Sequence, residues 1–483
     1  MKKYIQYICI SFILLFTSNC YSQNTFFTLG NSLVHGYDIR AGFSSISSDG
    51  NEFAIFLMDF GHIYASAFDK DYVYLGRINS DRIKRKMSNV FTTHSFGNTH
   101  TLFLNNETYK KFEYLEFDFR KHTINSGDID LNLKGQKIIK SFKYEENLYI
   151  LSVEKSNPIL VLNKIDEDYK VRKKTFDLSN FEIKNNLGKP INLDRLIIKN
   201  FSGITGINFN DTNRFPVSLG QTSSKSKIYK QGNKLLITLD QFREFTQVIT
   251  LNLETEKITF KKIPKPKTYK SPYGSKTNSF IYNSIIAQIA IVKDTVKISV
   301  KNHITGKELN AYTLVSGKKI GYINKPPFQK KFGVEKIKEL DSKKFIKKLN
   351  RNTASININR IDGVNYISFG SWKKNSSIEP NSFSMMYGAA GALLFAVLYE
   401  VLSPDMHSFS LYANGQTTQS TGIFDDSFQH LPNKKVMPSL YDNIEEFHKT
   451  VKRKSSLLLF NFHDDIIYGL FHAKTNTVEL VKF

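Results

Sequence analysis

Cysteine is nearly missing from this 483-residue chain: there are two, Cys9 and Cys20, and both lie within the first 22 residues. If that stretch is removed, residues 23–483 can form no disulfide, no thiolate zinc site and no Cys nucleophile. A body of that size must then be held by its core alone, and it is long enough to bury one. Acidic residues are also short, 44 against 67 Lys and Arg. The Gly-rich fingerprints of dinucleotide and P-loop sites are absent. So are the His-Glu-x-x-His zinc motif, the Gly-x-Ser-x-Gly elbow and the EF-hand loop. No cofactor is implied. Scattered residues can still assemble an active site, so enzyme activity is left open, with a non-catalytic role favoured.

Long apolar runs are confined to two places. The first follows Lys2 and Lys3, extends from Tyr4 to Phe16, and leads into Cys20-Tyr21-Ser22, a small-x-small cleavage site before Gln23. This order reads as a secretory signal peptide over 1–22. The run is interrupted by Gln6 and is shorter than the ~20 residues a membrane-spanning helix needs. Thr17, Ser18 and Asn19 fit poorly as the box that precedes a lipidated Cys. The expected location is therefore the periplasm or the cell envelope. The second run, 385–402 (MMYGAAGALLFAVLYEVL), carries one acid, Glu400. It reads as a buried segment of a long insertion, about 373–453, with peripheral membrane contact as the alternative.

What is abundant is Lys, Asn, Ile, Phe and Tyr, and the β-branched and aromatic residues favour strands. Part of this bias is what an AT-rich genome produces. The formal charge is +23, or +21 without Lys2 and Lys3. It points to an anionic envelope polymer or another envelope protein as partner. Nucleic acid is not expected outside the cytoplasm. Three basic clusters are recognisable. Arg82, Lys84, Arg85 and Lys86 form the densest and the best binding candidate. Lys261, Lys262, Lys265, Lys267 and Lys270 surround Pro264 and Pro266 in what reads as an exposed connector. Across 325–351, lysines around Ile337, Leu340, Phe345 and Leu349 predict an amphipathic helix.

From residue 40 onward the pattern is short alternating runs between turn residues. In 137–178 the strands are Ile138 to Tyr144, Leu148 to Val153, Ile159 to Ile165 and Tyr169 to Leu178. Four strands in about forty residues is the size of one propeller blade. The plan recurs at 226–263, 278–315, 353–372 and 456–483, and more weakly at 38–80 and 92–132. The fold class is therefore all-β, a β-propeller of about seven four-stranded blades over 23–483. Residues 24–34 can pair with the final strand and close the ring. The rival is two packed β-domains divided near 261–276.

Phe142-Lys143-Tyr144, Asn147 to Val153, Phe345 to Leu349, Ile356 to Ile358 and Tyr366 to Gly370 resemble a motif of uncharacterised exported proteins from Bacteroidota. That resemblance implies secretion and β-repeats and carries no activity.

Several residues invite chemistry. His463-Asp464-Asp465 sets a base beside two acids, but it falls where Glu145-Glu146, Gly232-Asn233 and Asp362-Gly363 turn other units, so a hairpin turn is expected. Asp59 and His62 form a potential charge pair. His94 and His100 lack a third metal ligand, so no metal site is assigned. Trp372, after Gly370-Ser371, is a candidate for stacking on a sugar. The favoured function is an exported non-catalytic binding or scaffold protein of the cell envelope. The alternative is a polysaccharide-active hydrolase or lyase with paired carboxylates at the propeller centre.

Overall fold

The computed structural model describes residues 25–29, 39, 41–59, 61–81, 83, 87, 89–106, 108–197, 208–210, 217–267, 275–334, 337–374, 404–451, 455–472 and 474–483. Arg82, Lys84, Arg85, Lys86, the apolar run 385–402 and the expected signal peptide over 1–22 lie outside these residues.

Two-residue hairpins organise the chain. Six loops (Gly97-Asn98, Glu145-Glu146, Gly232-Asn233, Asn283-Ser284, Asp362-Gly363 and His463-Asp464) each join two directly paired strands. In every one the first loop residue has φ between 48° and 56°. That left-handed conformation matches the twist of the flanking strands, which is why Gly, Asn and Asp recur there.

These hairpins open six of seven sheets, each with a core of four antiparallel strands, that follow one another as blades of a β-propeller; two blades carry a fifth strand, Asn208–Asn210 in blade 4 and Lys338–Glu339 in blade 6. Blades 1, 2, 3 and 5 are four consecutive strands: Ala41–Ile46 to Tyr74–Asn79, Asn89–Phe96 to Thr123–Ile129, Gln136–Tyr144 to Val171–Asp177, and Lys276–Tyr282 to Glu308–Val315. Blade 4 spans Ser226–Gln231 to Lys257–Pro264 and gains a fifth strand, Asn208–Asn210, parallel to its first. Blade 7 comprises Ser455–Phe462, Asp465–His472 and Thr477–Lys482, completed by the N-terminal strand Thr25–Leu29. The ring is thus closed by pairing the first described strand with the last, as the sequence pattern anticipates.

Blade 6 departs from the pattern. Its first three strands are Thr353–Ile361, Val364–Lys374 and Gly415–Phe424, and its fourth is Lys325–Lys331, which precedes them in the chain. The basic stretch 325–351 is therefore not one helix: helix occupies only Ser342–Leu349, and Ile337 is exposed. Pro326 and Pro327 bar a helix there but are tolerated where the ladder shifts register between Lys325 and Phe328. Within 373–453, Gly415–Phe424 belongs to the blade itself.

Packing repeats around the ring. Second strands such as Glu52–Met58 are buried along almost their whole length, because neighbouring blades cover both faces. Apolar layers fill the seams. Phe53 and Phe68 meet Phe460 and Phe462 between blades 1 and 7; Phe56 meets Phe117 between blades 1 and 2. Ile289, Ile298, Ile356 and Phe345 share the layer joining blades 5 and 6.

Five helices lie among the described residues: α1 (Leu193–Leu196), α2 (Leu219–Thr222), α3 (Ser342–Leu349), α4 (Pro404–Ala413) and α5 (Leu440–Thr450). None is long and apolar enough to cross a membrane.

Candidate functional site

The first strands of the blades face the axis. At blades 4 to 6 that space is taken by the protein's own chain. Asn208–Asn210 pairs with the first strand of blade 4. Residues 217–222 then run along the first strand of blade 6, where alternate side chains hold their backbone. Asn359 accepts from Val217 N at 3.0 Å, the Asn357 amide donates to Val217 O, and Ser355 donates to Leu219 O at 2.6 Å. From blade 5, the Asn278 amide donates to Thr222 O, Ser223 O and Ala354 O. Short polar residues at axial positions are therefore a socket for an internal strap.

Beside this strap, the seam of blades 4 and 5 gathers three lysines about one acid, with a fourth at its edge. Asp240 directly follows the second strand of blade 4, Lys234–Leu239, and is fully buried. Its carboxylate accepts from Lys227 Nζ at 3.0 Å, Lys265 Nζ at 3.1 Å, Thr246 Oγ1 at 2.8 Å, and Ser279 N and Oγ at 3.1 and 2.7 Å. Burial alone would raise its pKa; Lys265, Lys227 and Lys225 overcome this and hold it far below the usual carboxylate range. Lys227 spends its three N–H groups on Ser224 O, Asp240 and Asn278 Oδ1. Lys265 is bound to Asp240 O, Phe242 O and Thr277 Oγ1 as well. Burial pushes both ammonium groups down, against the pull of Asp240. Lys265 is thus deep inside the molecule, not on the exposed connector its Pro-rich neighbourhood suggests. Ile263 turns inward two residues earlier, and the alternation carries Lys265 after it.

Lys225 and Lys276 complete the group at its partly exposed rim. Lys225 donates to Thr277 O, and Lys276 to Asn352 O at 2.7 Å. Burial, then the neighbouring lysines, push Lys225 down to about 7, with Asp240 opposing. Sequence reading missed this group. The available signal was charge at inward positions: Lys225 and Lys227 alternate with serines at the start of a strand, and Asp240 follows an apolar run.

The residues singled out in the sequence have other roles. His463-Asp464 is a hairpin turn, and Asp465 accepts from Tyr72 OH at 2.5 Å and from Lys482 at 2.6 Å. The turn borders a cleft of about 360 Å³ lined by Ile46, Gly50, Phe462, Asp464 and Ile466. Asp59 organises its own turn, accepting from Gly61 N and His62 N at 2.7 Å and from Tyr64 OH at 2.6 Å. Trp372 donates its indole N–H to Leu411 O at 3.1 Å. A Cβ on Gly415 would sit 1.9 Å from that nitrogen, so the ring is a seat for the end of α4 and not an open platform. One close carboxylate pair, Asp442 and Glu445, lies one turn apart on α5. Lys330 Nζ bridges them at 2.5 and 2.7 Å, and Tyr412 OH lies 2.7 Å from Glu445 and 3.0 Å from Asp442, placed to donate its one proton between them. This cluster ties α5 to the outer strand of blade 6.

His94 and His100 cannot share a metal. Ser95 faces His100 across the ladder and Thr101 faces His94, so the two rings leave opposite sides of the sheet. No metal-binding group of His, Cys, Asp and Glu occurs among the described residues. His94 Nε2 lies 3.2 Å from Glu146 O, and burial lowers it to about 4. His100 is fully buried with neither ring nitrogen bonded, and burial lowers it to about 3. Below its unfolded pKa the unfolded chain binds this proton and the folded chain does not, so stability falls as pH drops from about 6.5. Between pH 8 and pH 5 this amounts to about 2 kcal/mol for His100. His100→Leu should therefore shed that much of the acid sensitivity. Urea midpoints at the two pH values test it; parallel losses in variant and parent would refute the assignment.

No family model matches the chain. No curated protein matches it either. Solved structures similar to it include the β-propeller domain of the Trilobed protease from Pyrococcus furiosus, described as having an open velcro topology (10% identity, 92% of this chain and 93% of that one, TM-score 0.33). Others are the WD40 domain of SCAP from fission yeast (10%, 95% and 98%, 0.35) and the Nup133 β-propeller domain of Vanderwaltozyma polyspora (11%, 91% and 94%, 0.34). The fold assigned above stands on the strand pairings themselves.

Proposed function

We propose that this propeller is an exported, non-catalytic binding or scaffold protein of the cell envelope, with an anionic envelope polymer as its partner. The observation that supports the reading best is the engagement of its polar groups by one another. The axial side chains of blades 4 to 6 hold the internal strap. The carboxylates best placed for acid–base work, Asp240, Asp442 and Glu445, are each fixed by lysine. A hydrolase or lyase needs a protonatable acid and a second carboxylate facing a sugar across about 5–10 Å of open space. Charge in excess of +20 supplies the attraction to a polyanion.

The purified protein should be retained on a dextran sulfate matrix at low salt, pass through neutral dextran, and elute as added salt screens the contacts. It should leave dextran sulfate and pectin undegraded. Equal passage through both matrices removes the polyanion partner, and chain cleavage of either polymer removes the non-catalytic reading. In cell fractionation the full chain should leave the cytoplasm and a chain lacking 1–22 should not.

A further inference from the structure

We propose that the rim of the blade 4–blade 5 seam is a binding site for a tetrahedral oxyanion, a phosphate or sulfate group, held by Lys225 and Lys276 in front of buried Lys227 and Lys265. The proposal is independent of polymer retention, because its probe is a free inorganic anion.

The charge balance carries it. Three ammonium groups, of Lys265, Lys227 and Lys225, act on one carboxylate, and that carboxylate already accepts five hydrogen bonds. Lys227 and Lys265 have no donor left to offer: their bonds run to Ser224 O, Asn278 Oδ1, Phe242 O, Thr277 Oγ1 and Asp240. They contribute field, not contact, and they do so from a buried, low-dielectric region. Lys225 and Lys276 differ. Each is partly exposed, each carries three N–H donors, and the bonds described use one apiece, to Thr277 O and Asn352 O. Lys225 and Lys265 meet on opposite ends of the same residue, Thr277, and Lys276 is the residue before it. The Lys225 and Lys265 ammonium groups thus meet at Thr277, and the Lys276 ammonium, held at Asn352 O, acts on Lys225 from further off.

An oxyanion placed there accepts the spare donors and offsets the surplus charge. Burial is the main cause that pushes Lys225 down to about 7, and the charged groups facing it, Lys265, Asp240, Lys227 and Lys276, are a net positive set that adds to the push. An anion reverses that push, so binding above neutral pH must take up a proton.

Sulfate is the clean probe, since it does not titrate in this range. Calorimetric titration of the protein with sodium sulfate, against sodium chloride at matched ionic strength, should show saturable binding. Affinity should be about tenfold higher at pH 6 than at pH 8, with proton uptake at pH 7.5 read from buffers of different ionisation heat. Phosphate should compete. Lys225→Met should lower affinity about tenfold or more and abolish the pH dependence. Lys276→Met should lower affinity but keep the pH dependence. Lys170→Met, on a distant exposed loop, should change neither. Sulfate heats that match chloride, a flat pH profile in the parent protein, or unchanged binding by Lys225→Met would each overturn the site.

Discussion

Asp240→Asn should cost about 3–5 kcal/mol of folding stability at pH 7, the penalty for stranding buried charge. The substitution keeps size and shape, and the one amide oxygen can still accept either from Thr246 or from Ser279, which bind different carboxylate oxygens. What it removes is the negative charge between Lys227 Nζ at 3.0 Å and Lys265 Nζ at 3.1 Å, both in a fully buried setting. Two ammonium groups without a counter-charge must then stay charged in low dielectric or give up a proton. The second course becomes cheaper as pH rises toward the ordinary lysine pKa. The folded variant binds fewer protons than its unfolded chain, so its stability should climb between pH 7 and pH 10. Adding Lys227→Met should recover part of the loss, because an apolar stem replaces an unpaired charge. Denaturant titrations of the parent and the two variants measure all of this. A loss below about 1 kcal/mol at pH 7 would mean the seam tolerates free charge and that the lysines are hydrated in solution.

A comparable loss is expected on removing the N-terminal strand. Thr25–Leu29 covers the edge of Thr477–Lys482 and completes blade 7. Its two aromatic residues lie on blade 1 as well: Phe27 meets Phe68 edge-on at 4.8 Å and stacks on Tyr74 at 5.1 Å, and Phe26 meets Tyr72 at 5.0 Å. A chain beginning at residue 30 loses about 3 kcal/mol or more in aromatic burial alone. It also presents an unpaired strand edge, which is a template for association. The expected outcome is a melting temperature lower by several degrees or more, with dimers and larger species on size exclusion that grow with concentration. A monomer with unaltered melting would mean the ring does not depend on this closure.

The seven-blade plan was legible in the sequence because its signals are local. Glu145-Glu146, Gly232-Asn233, Asp362-Gly363 and His463-Asp464 mark hairpins whose backbone needs a left-handed first residue. Alternation in outer strands, such as Lys257–Pro264, marks one covered and one wet face. Blade 6 was only half legible. Its outer strand, KPPFQKK, carries two prolines, and its third, GQTTQSTGIF, is mostly polar. Each gains its strand character from the partner it pairs with, Lys325↔Thr421 and Phe328↔Gln419, and not from its own pattern. The lysine seam was illegible for a related reason. Lys227, Asp240, Lys265 and Ser279 span more than fifty positions, and only the ring brings them together. Lysine beside Pro264 and Pro266 reads as surface until the strand's alternation turns Lys265 inward. Trp372 shows the converse: its exposed-looking sequence context hides the backbone of α4, which covers it.

The ring closure has a direct chemical test. Thr28 and Glu479 face each other across the ladder joining the first and last described strands. Facing antiparallel residues stand about 4.5–5.5 Å apart at Cα, within the range a disulfide spans. In a chain lacking 1–22, which retains no cysteine of its own, Thr28→Cys with Glu479→Cys should oxidise to a single intramolecular disulfide. Peptide mapping should find residue 28 joined to residue 479, with the protein monomeric. Free thiols after oxidation, or disulfides formed only between molecules, would contradict a ring closed by these two strands.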